Sequence, residues 1–256
     1  MLPAERRTKV ADLVRSAGVV STEALASELD VSSETIRRDL LVLEEQGVLQ
    51  KVHGGATIAG SSVAVSEPPF DVRSEEELQR KQRIASLAAG LIPSGSLAFI
   101  DVGTTALLAA KALPHALAAT IVTASLRVAV ELSDRPGLDV LVTGGRLRKG
   151  ELALSGMLAT ATLAEMHFDV ALLGSGGLHS EAGLTDYYYD EAQARRAIIA
   201  RSARSYILCD GTKFEKIAQY RVAGLADFTG VVVDEAPDEP LAKALQQSGA
   251  QIISSS

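Results

Sequence analysis

Apolar residues fall at helical spacing in the first 56 residues and in continuous short runs from about residue 81. Val10, Leu13 and Val14 recur at helical intervals between Glu5 and Ser16, and Gly18 follows as a stop. After Val19-Val20, Ser21 or Thr22 can cap a second helix running to Leu29. Asp30-Val31-Ser32 is a tight turn, and Ser33–Gln46 is a third helix closed by Gly47. Its Ile36, Leu40 and Leu43 stand at i, i+4 and i+7, a single buried stripe. Val48–Ala56 predicts a short strand and a glycine-bearing tip. Two helices joined by a tight turn and followed by a β-wing form a winged helix-turn-helix, a small α+β domain assigned to residues 1–57.

From about residue 81 the grammar changes. Leu97–Val102, Thr120–Thr123, Leu138–Thr143, Phe168–Gly174, Tyr206–Cys209 and Val231–Asp234 are buried-strand patterns, and most are separated by amphipathic stretches. Continuous apolar strands alternating with helices predict a mostly parallel sheet covered on both faces, an α/β domain over 81–256. Between the two, residues 58–80 contain Gly60-Ser61-Ser62, Pro68-Pro69 and Ser74-Glu75-Glu76-Glu77, the pattern of a linker running into a helix.

Composition narrows the class. With 47% hydrophobic and 22% charged residues in 256, the chain is globular. No apolar run reaches the length of a membrane span, and no apolar core follows the N-terminal charges, so a cytoplasmic protein is expected. Cys209 is the sole cysteine, which excludes an intrachain disulfide. His53, His115, His167 and His179 are scattered, so no metal and no cofactor is expected. A nucleoside-triphosphate loop, a dinucleotide fingerprint and a hydrolase elbow are all absent.

The net charge of −7 does not favour nucleic acid by itself, and residues 1–56 sum to −2. Any DNA contact must therefore rest on a local cluster. With the apolar stripe of the third helix turned inward, Ser33, Thr35, Arg37, Arg38 and Leu41 face out. Hydroxyls at a helix start suit phosphates, and arginine suits guanine O6 and N7 in the major groove. Thr22, Ser32, Lys51, His53 and Gly54 complete the expected DNA contacts. The same pattern also fits an ordinary three-helix packing module with a solvated Arg-Arg pair.

In a parallel sheet the ligand lies beyond the carboxyl ends of the strands. There the chain places Asp101-Val102-Gly103-Thr104-Thr105, Thr123-Ala124-Ser125, Thr143-Gly144-Gly145-Arg146, Gly174-Ser175-Gly176-Gly177 and Asp210-Gly211-Thr212-Lys213. A Gly-Thr-Thr turn opening a helix offers amides and hydroxyls to an anion. Lys213 can add a cation, and Asp101 or Glu191 can accept from sugar hydroxyls. The expected effector contacts are Asp101, Gly103, Thr104, Thr105, Thr123, Ser125, Gly144, Gly145, Glu191, Arg195 and Lys213. Against this stands the plainer reading that such turns need Gly, Thr, Ser and Asp for capping alone.

Val31-Ser32-Ser33-Glu34-Thr35-Ile36-Arg37-Arg38-Asp39-Leu40, Leu43-Glu44-Glu45-Gln46-Gly47 and Val52-His53-Gly54-Gly55-Ala56 together closely resemble the DeoR family of bacterial transcriptional regulators. Asp101–Thr105, Phe168–Gly174, Gly183-Leu184-Thr185, Glu191-Ala192 and Asp210–Phe214 resemble that family's sensor domain, and the likeness spans nearly the whole chain. It implies a sensor similar in fold to ribose-phosphate isomerase and glucosamine-phosphate deaminase. It also implies a repressor of carbohydrate-metabolism genes that leaves operator DNA when a phosphorylated sugar binds. Three places depart from the pattern. Thr123-Ala124-Ser125 stands where Thr-Asn is common, Arg195 where Lys is common, and Asp210-Gly211-Thr212-Lys213-Phe214 where Asp-Ser-Ser-Lys-Phe is usual. The competing reading is a sugar-phosphate isomerase or deaminase with an N-terminal binding module. Because one recognition helix covers few base pairs, a homo-oligomer, dimer or tetramer, is expected.

Overall fold

The computed structural model describes residues 3–17, 19–52, 55–58, 63–64 and 67–255. They divide into two compact units, Met1–Pro68 and Pro69–Ser256.

The first unit runs α1 (Pro3–Ala17), β1 (Val19–Ser21), α2 (Thr22–Glu28), α3 (Ser33–Glu45), β2 (Leu49–Val52) and β3 (Gly55–Ile58), with β4 (Val63–Ala64) beyond. Val10, Val14, Leu25, Ile36, Leu40, Leu43 and Leu49 form its core. Ser32 caps α3, its Oγ accepting from the Thr35 amide at 3.2 Å. At the other end the Val48 amide donates to the Leu43 carbonyl and the Gly47 amide to that of Glu44, both at 2.9 Å. Gly47 adopts φ +67° there, the left-handed stop that only glycine makes without strain. β3 pairs antiparallel with both β1 and β2, so the expected wing is a three-stranded sheet.

In the second unit, α4 (Phe70–Glu75) and α5 (Leu78–Ala89) precede β5 (Leu97–Ile100), α6 (Thr104–Lys111), β6 (Ala119–Thr123), α7 (Leu126–Leu132) and β7 (Leu138–Val142). A hairpin follows, β8 (Arg146–Arg148) and β9 (Ala153–Ser155), then α8 (Met157–Ala164) and β10 (Val170–Leu173). Next come β11 (Gly177–His179), β12 (Gly183–Asp186), α9 (Tyr189–Ala200), β13 (Ser205–Cys209), a single 3₁₀ turn at Gly211–Lys213, β14 (Ile217–Ala218) and β15 (Tyr220–Ala223). β16 (Gly230–Val233), α10 (Leu241–Ser248) and β17 (Gln251–Ser254) close the chain.

Seven strands form one sheet in the order β17-β16-β13-β10-β5-β6-β7, every neighbouring pair parallel. Alternate residues point to opposite faces. Ala98 and Ile100 of β5 join a core beneath α5, α6 and α7, while Phe99 joins a second core beneath α8, α9 and α10. The antiparallel trio β11-β12-β15 stands apart from this sheet. Phe70–Glu75, within the 58–80 stretch read from sequence as a linker running into a helix, is itself helical; the helix that follows is Leu78–Ala89, and both lie in the second unit. Phe70 is buried and stacks under the Arg127 guanidinium, 3.9 Å from the ring centre, which anchors the start of α4. Lys81 is buried too, its Nζ donating to the Arg73 and Glu76 carbonyls at 2.5 and 2.7 Å. It thereby satisfies carbonyls at the end of α4, and burial pulls its pKa below the usual lysine value.

Candidate functional site

On the first unit, α3 presents Arg37 and Arg38 with side chains 60% and 78% exposed, beside the exposed Ser32 and half-buried Ser33 and Thr35. Both guanidiniums lie 3.5 Å from Glu34 carboxylate oxygens, exposed pairs that water and salt weaken. The inner side of the same helix carries Asp39, buried and bonded to Arg6 Nε of α1 at 2.5 Å. Asp39 raises the Arg6 pKa, and the pair fixes α3 against α1. Thr22, expected among the DNA contacts, is 4% exposed and packed inside the unit. Lys51 lies on β2 opposite Ala56 of β3. His53 and Gly54 lie outside the described residues.

On the second unit the five polar loops follow β5, β6, β7, β10 and β13, contiguous strands of one parallel sheet, so they open on one rim. After β5 the chain proceeds to β6 and β7 on one side, whereas β10 returns to the other flank of β5. The crevice of such a sheet lies at this reversal. Gly103 caps α6 with φ +105° and without a side-chain acceptor for the first amides of the helix. The first amide bonded along the helix is that of Leu107, to the Gly103 carbonyl at 3.0 Å. Thr104 is buried beside it, while Gly103 and Thr105 are partly open.

A network of ion pairs joins this crevice to α9. Asp101 accepts from the Val102 amide (2.8 Å), the Gly174 amide (2.9 Å) and Arg195 Nε (2.6 Å). The remaining guanidinium nitrogens of Arg195 meet Asp186 and, at 3.7 Å, Glu191. One turn earlier on the same helix face, Glu191 also pairs with Arg148 of β8, whose guanidinium stacks 4.0 Å over the Tyr188 ring. Burial opposes the charge on Arg148, but Glu191 and Glu151 outweigh it and raise its pKa. Beside this pair lies a cavity of about 380 Å³ lined by Arg146, Arg148, Ser155, Tyr188 and Glu191 among others. Arg146 is exposed and has no ion pair among the described residues.

Several expected effector residues are otherwise engaged. Asp101 and Arg195 are at most 5% exposed and bonded to each other, which makes them supports of the rim. Thr123 is fully buried, its Oγ1 accepting from the Ser125 amide at 3.0 Å, and Ser125 caps α7 by accepting from Val128. Gly144 and Gly145 are exposed turn residues at φ +74° and +116°. Lys213 sits at the end of β13, two strands from β5 and hence roughly 10 Å across the sheet. Its Nζ lies 5.9 Å from the Tyr187 ring centre. Arg146, Arg148 and Tyr188 line the cavity beside Glu191 and are not among the effector contacts expected from sequence. Arg146 stood in the sequence as the residue ending the Gly144-Gly145 loop, but no local pattern pairs Arg148 with α9.

Residues 6–62 match the family model of the DeoR-like helix-turn-helix domain, and residues 76–235 that of the DeoR C terminal sensor domain. The chain is 33% identical over 248 residues to the HTH-type transcriptional repressor CsqR of Escherichia coli, covering 97% of this chain and 94% of that protein. It is 36% identical over 236 residues to the glycerol-3-phosphate regulon repressor of Haemophilus influenzae, covering 91% and 90%. Among solved structures, ribose 5-phosphate isomerase A from Methanocaldococcus jannaschii is similar at 16% identity and a TM-score of 0.39, over 52% of this chain and 53% of that one.

Proposed function

Because the chain belongs to the DeoR family of transcriptional regulators, we propose that it is a repressor of carbohydrate-metabolism genes, released from its operator by a phosphorylated sugar or related metabolite. The DNA half of this reading is supported by α3, where capping hydroxyls and two exposed arginines share one outward surface. The effector half rests on one observation: ion pairs from Asp101 through Arg195 and Glu191 to Arg148 link the strand end that leads into the uncapped α6 N-terminus to the arginine-lined cavity. Helix amides and guanidiniums are the donors that hold a phosphate, and Glu191 is placed to accept from hydroxyls. Lys213 is an outer contact in this arrangement, and Arg146 and Arg148 are added to the phosphate's partners.

An effector can shift DNA binding only by its differential affinity for the two arrangements of the protein, typically about 1–3 kcal/mol. Linkage requires that operator DNA weaken effector binding by the same factor.

A thermal-shift panel of sugar phosphates, glycerol 3-phosphate included, against their unphosphorylated counterparts tests the reading. The cognate compound at 100 times its Kd adds about 2.7 kcal/mol of stability, and its dephosphorylated form adds none. Thr104→Asp puts a negative charge where the phosphate belongs, abolishing the shift while leaving operator protection intact. An undiminished shift in that variant excludes the loop. The enzyme reading predicts turnover of a pentose or hexose phosphate, and none is expected.

A further inference from the structure

We propose that the β8–β9 hairpin is a regulatory link within the second unit, gripping the arginine-lined cavity at one end and α4, the first helix of that unit, at the other. On the cavity side Arg148 pairs with Glu191 of α9 and stacks on the Tyr188 ring. In the turn that follows, Glu151 is buried and pairs with the buried Arg73 of α4. Its neighbour Gly150 accepts from Arg127 Nη2 at 2.9 Å, and the same guanidinium covers the Phe70 ring of α4. Glu151 also lies near enough to Arg148 for its charge to raise the Arg148 pKa. Glu191, Arg148, Glu151 and Arg73 thus form one line of alternating charge, from α9 through the hairpin to α4.

Three observations mark the hairpin as an element with a second arrangement close in energy. It buries little apolar surface: of the residues of β8 and β9 only Ala153 is buried. Polar ties hold it, and segments held this way lie at the low end of local stability. The turn is also strained. Leu152 adopts φ +55°, a left-handed conformation that a leucine keeps only where its surroundings hold it. Here the Leu126 amide donates to the Leu152 carbonyl at 2.9 Å, and the Glu151–Arg73 pair stands one residue before. Finally, Arg127 Nε and Arg148 Nε, on the two arginines that grip the hairpin, are buried and meet no acceptor among the described residues. Buried donors in that state favour a rearrangement that satisfies them.

An anion in the cavity sets the direction. A phosphate at Arg148 draws on the guanidinium that Glu191 and Glu151 attract, and it adds like charge beside both carboxylates. The hairpin then loses its hold on α9, and the Glu151–Arg73 grip on α4 loosens with it. α4 begins at Phe70, just past the boundary between the two units, so the segment by which the chain enters the second unit is released. This regulatory sense rests on the effector reading above. The coupling of Arg148 to α4 does not.

Hydrogen exchange of the full chain without DNA reads α4 directly, through the Arg73 and Glu76 amides that donate to the Pro69 and Val72 carbonyls. Arg148→Met changes no residue of α4, yet it is expected to speed exchange there about ten-fold while α10 keeps its wild-type rates. Glu151→Gln speeds it at least as much, and the double variant exchanges no faster than Glu151→Gln, because both changes act on one path. Tyr189 lines the same cavity outside the line of charge, and Tyr189→Ala leaves α4 unchanged. Should Glu151→Gln not fold, Glu151→Asp keeps the charge, shortens the arm and replaces it. Inorganic phosphate and glycerol 3-phosphate are the anion probes. One that binds by calorimetry speeds α4 exchange in wild type and adds nothing in Glu151→Gln. Unchanged α4 exchange in Arg148→Met, equal acceleration in α10 or by Tyr189→Ala, additive effects in the double variant, or a bound probe without faster exchange would each overturn the proposal. If neither probe binds while Arg148→Met still frees α4, the link stands and the phosphate reading alone fails.

Discussion

Arginine does opposite jobs on α3 and α9. On α3, Arg37 and Arg38 share one exposed carboxylate at 3.5 Å and keep most of their surface in water. On α9, Arg195 is 5% exposed and enclosed by Asp101, Asp186 and Glu191. An exposed pair is worth little and exchanges readily for a phosphate or a guanine. A buried one is costly to break, because the partner charges are left uncompensated. Arg37 and Arg38 are thus available for recognition, and Arg195 is committed to structure. Arg148 lies between the two, paired with Glu191 yet 24% exposed beside a cavity.

The sharpest way to break this contrast is Arg195→Met. It strands three carboxylates in the rim and should cost about 3–5 kcal/mol. At roughly 2–4 °C per kcal/mol for a unit of this size, Tm falls by about 10 °C. Arg195→Lys keeps the charge but loses the fork that reaches three acceptors, so it should fall between the two. A wild-type melting curve for Arg195→Met would show that the enclosed guanidinium holds nothing in place.

Arg148→Met comes next. Loss of a charged hydrogen bond to the effector phosphate costs about 1.5–3 kcal/mol, ten- to a hundred-fold in affinity. Calorimetry across pH separates its charge from the ligand's. The Arg148 pKa is raised above the ordinary guanidinium value, so this arm contributes no pH dependence near neutrality. Affinity should be flat above pH 7 and weaken below about 6, where a phosphate monoester takes up its second proton. Affinity that tracks another pH window would place the dominant contact elsewhere.

Arg37→Ala and Arg38→Ala should leave Tm unchanged and cost about 1–3 kcal/mol of specific affinity for whichever side chain reads a base. Footprinting the operator with the folded double variant decides the assignment: wild-type protection at wild-type concentration would move base reading off α3.

What was legible in the sequence divides along the same line. Capping, stripes and strand ends are local patterns, so α3, its Ser32 cap, its Gly47 stop and the five rim loops could all be read from neighbours in the chain. The buried ion pairs join residues far apart: Arg6 to Asp39 is 33 positions, and Asp101 to Arg195 is 94. No periodicity carries that information, so the sequence offers Asp101 and Arg195 as ligand contacts without any sign that they bond to each other. The burial of Thr22 is illegible for a related reason, since a cap-like residue at a helix start gives no sign of whether the next element covers it. The hairpin β8–β9 escaped because Arg146-Leu147-Arg148 is too short to show alternation. Phe70–Glu75 was hidden by the Pro68-Pro69 pair, which marks a helix start as readily as a linker.

The smallest expected effect isolates the exposed side of the comparison. Glu34 is the shared partner of Arg37 and Arg38, and it also stands in the first turn of α3, where a carboxylate favours the helix dipole. Glu34→Gln removes two weak pairs and one dipole contact, so the loss of stability stays within about 1 kcal/mol. On DNA the balance reverses. In the free protein both guanidiniums must leave Glu34 before they can pair with the duplex, and the carboxylate itself faces a polyanion. Its removal should therefore strengthen binding to every duplex by up to about five-fold, with little change in the ranking of operator over unrelated sequence. The measurement is a pair of titrations, operator and random duplex, at one salt concentration. Uniform tightening supports Glu34 as a competitor of the two arginines. A loss confined to the operator would instead make Glu34 a reader itself, accepting from a cytosine amino group, and would shift the recognition surface toward the first turn of α3.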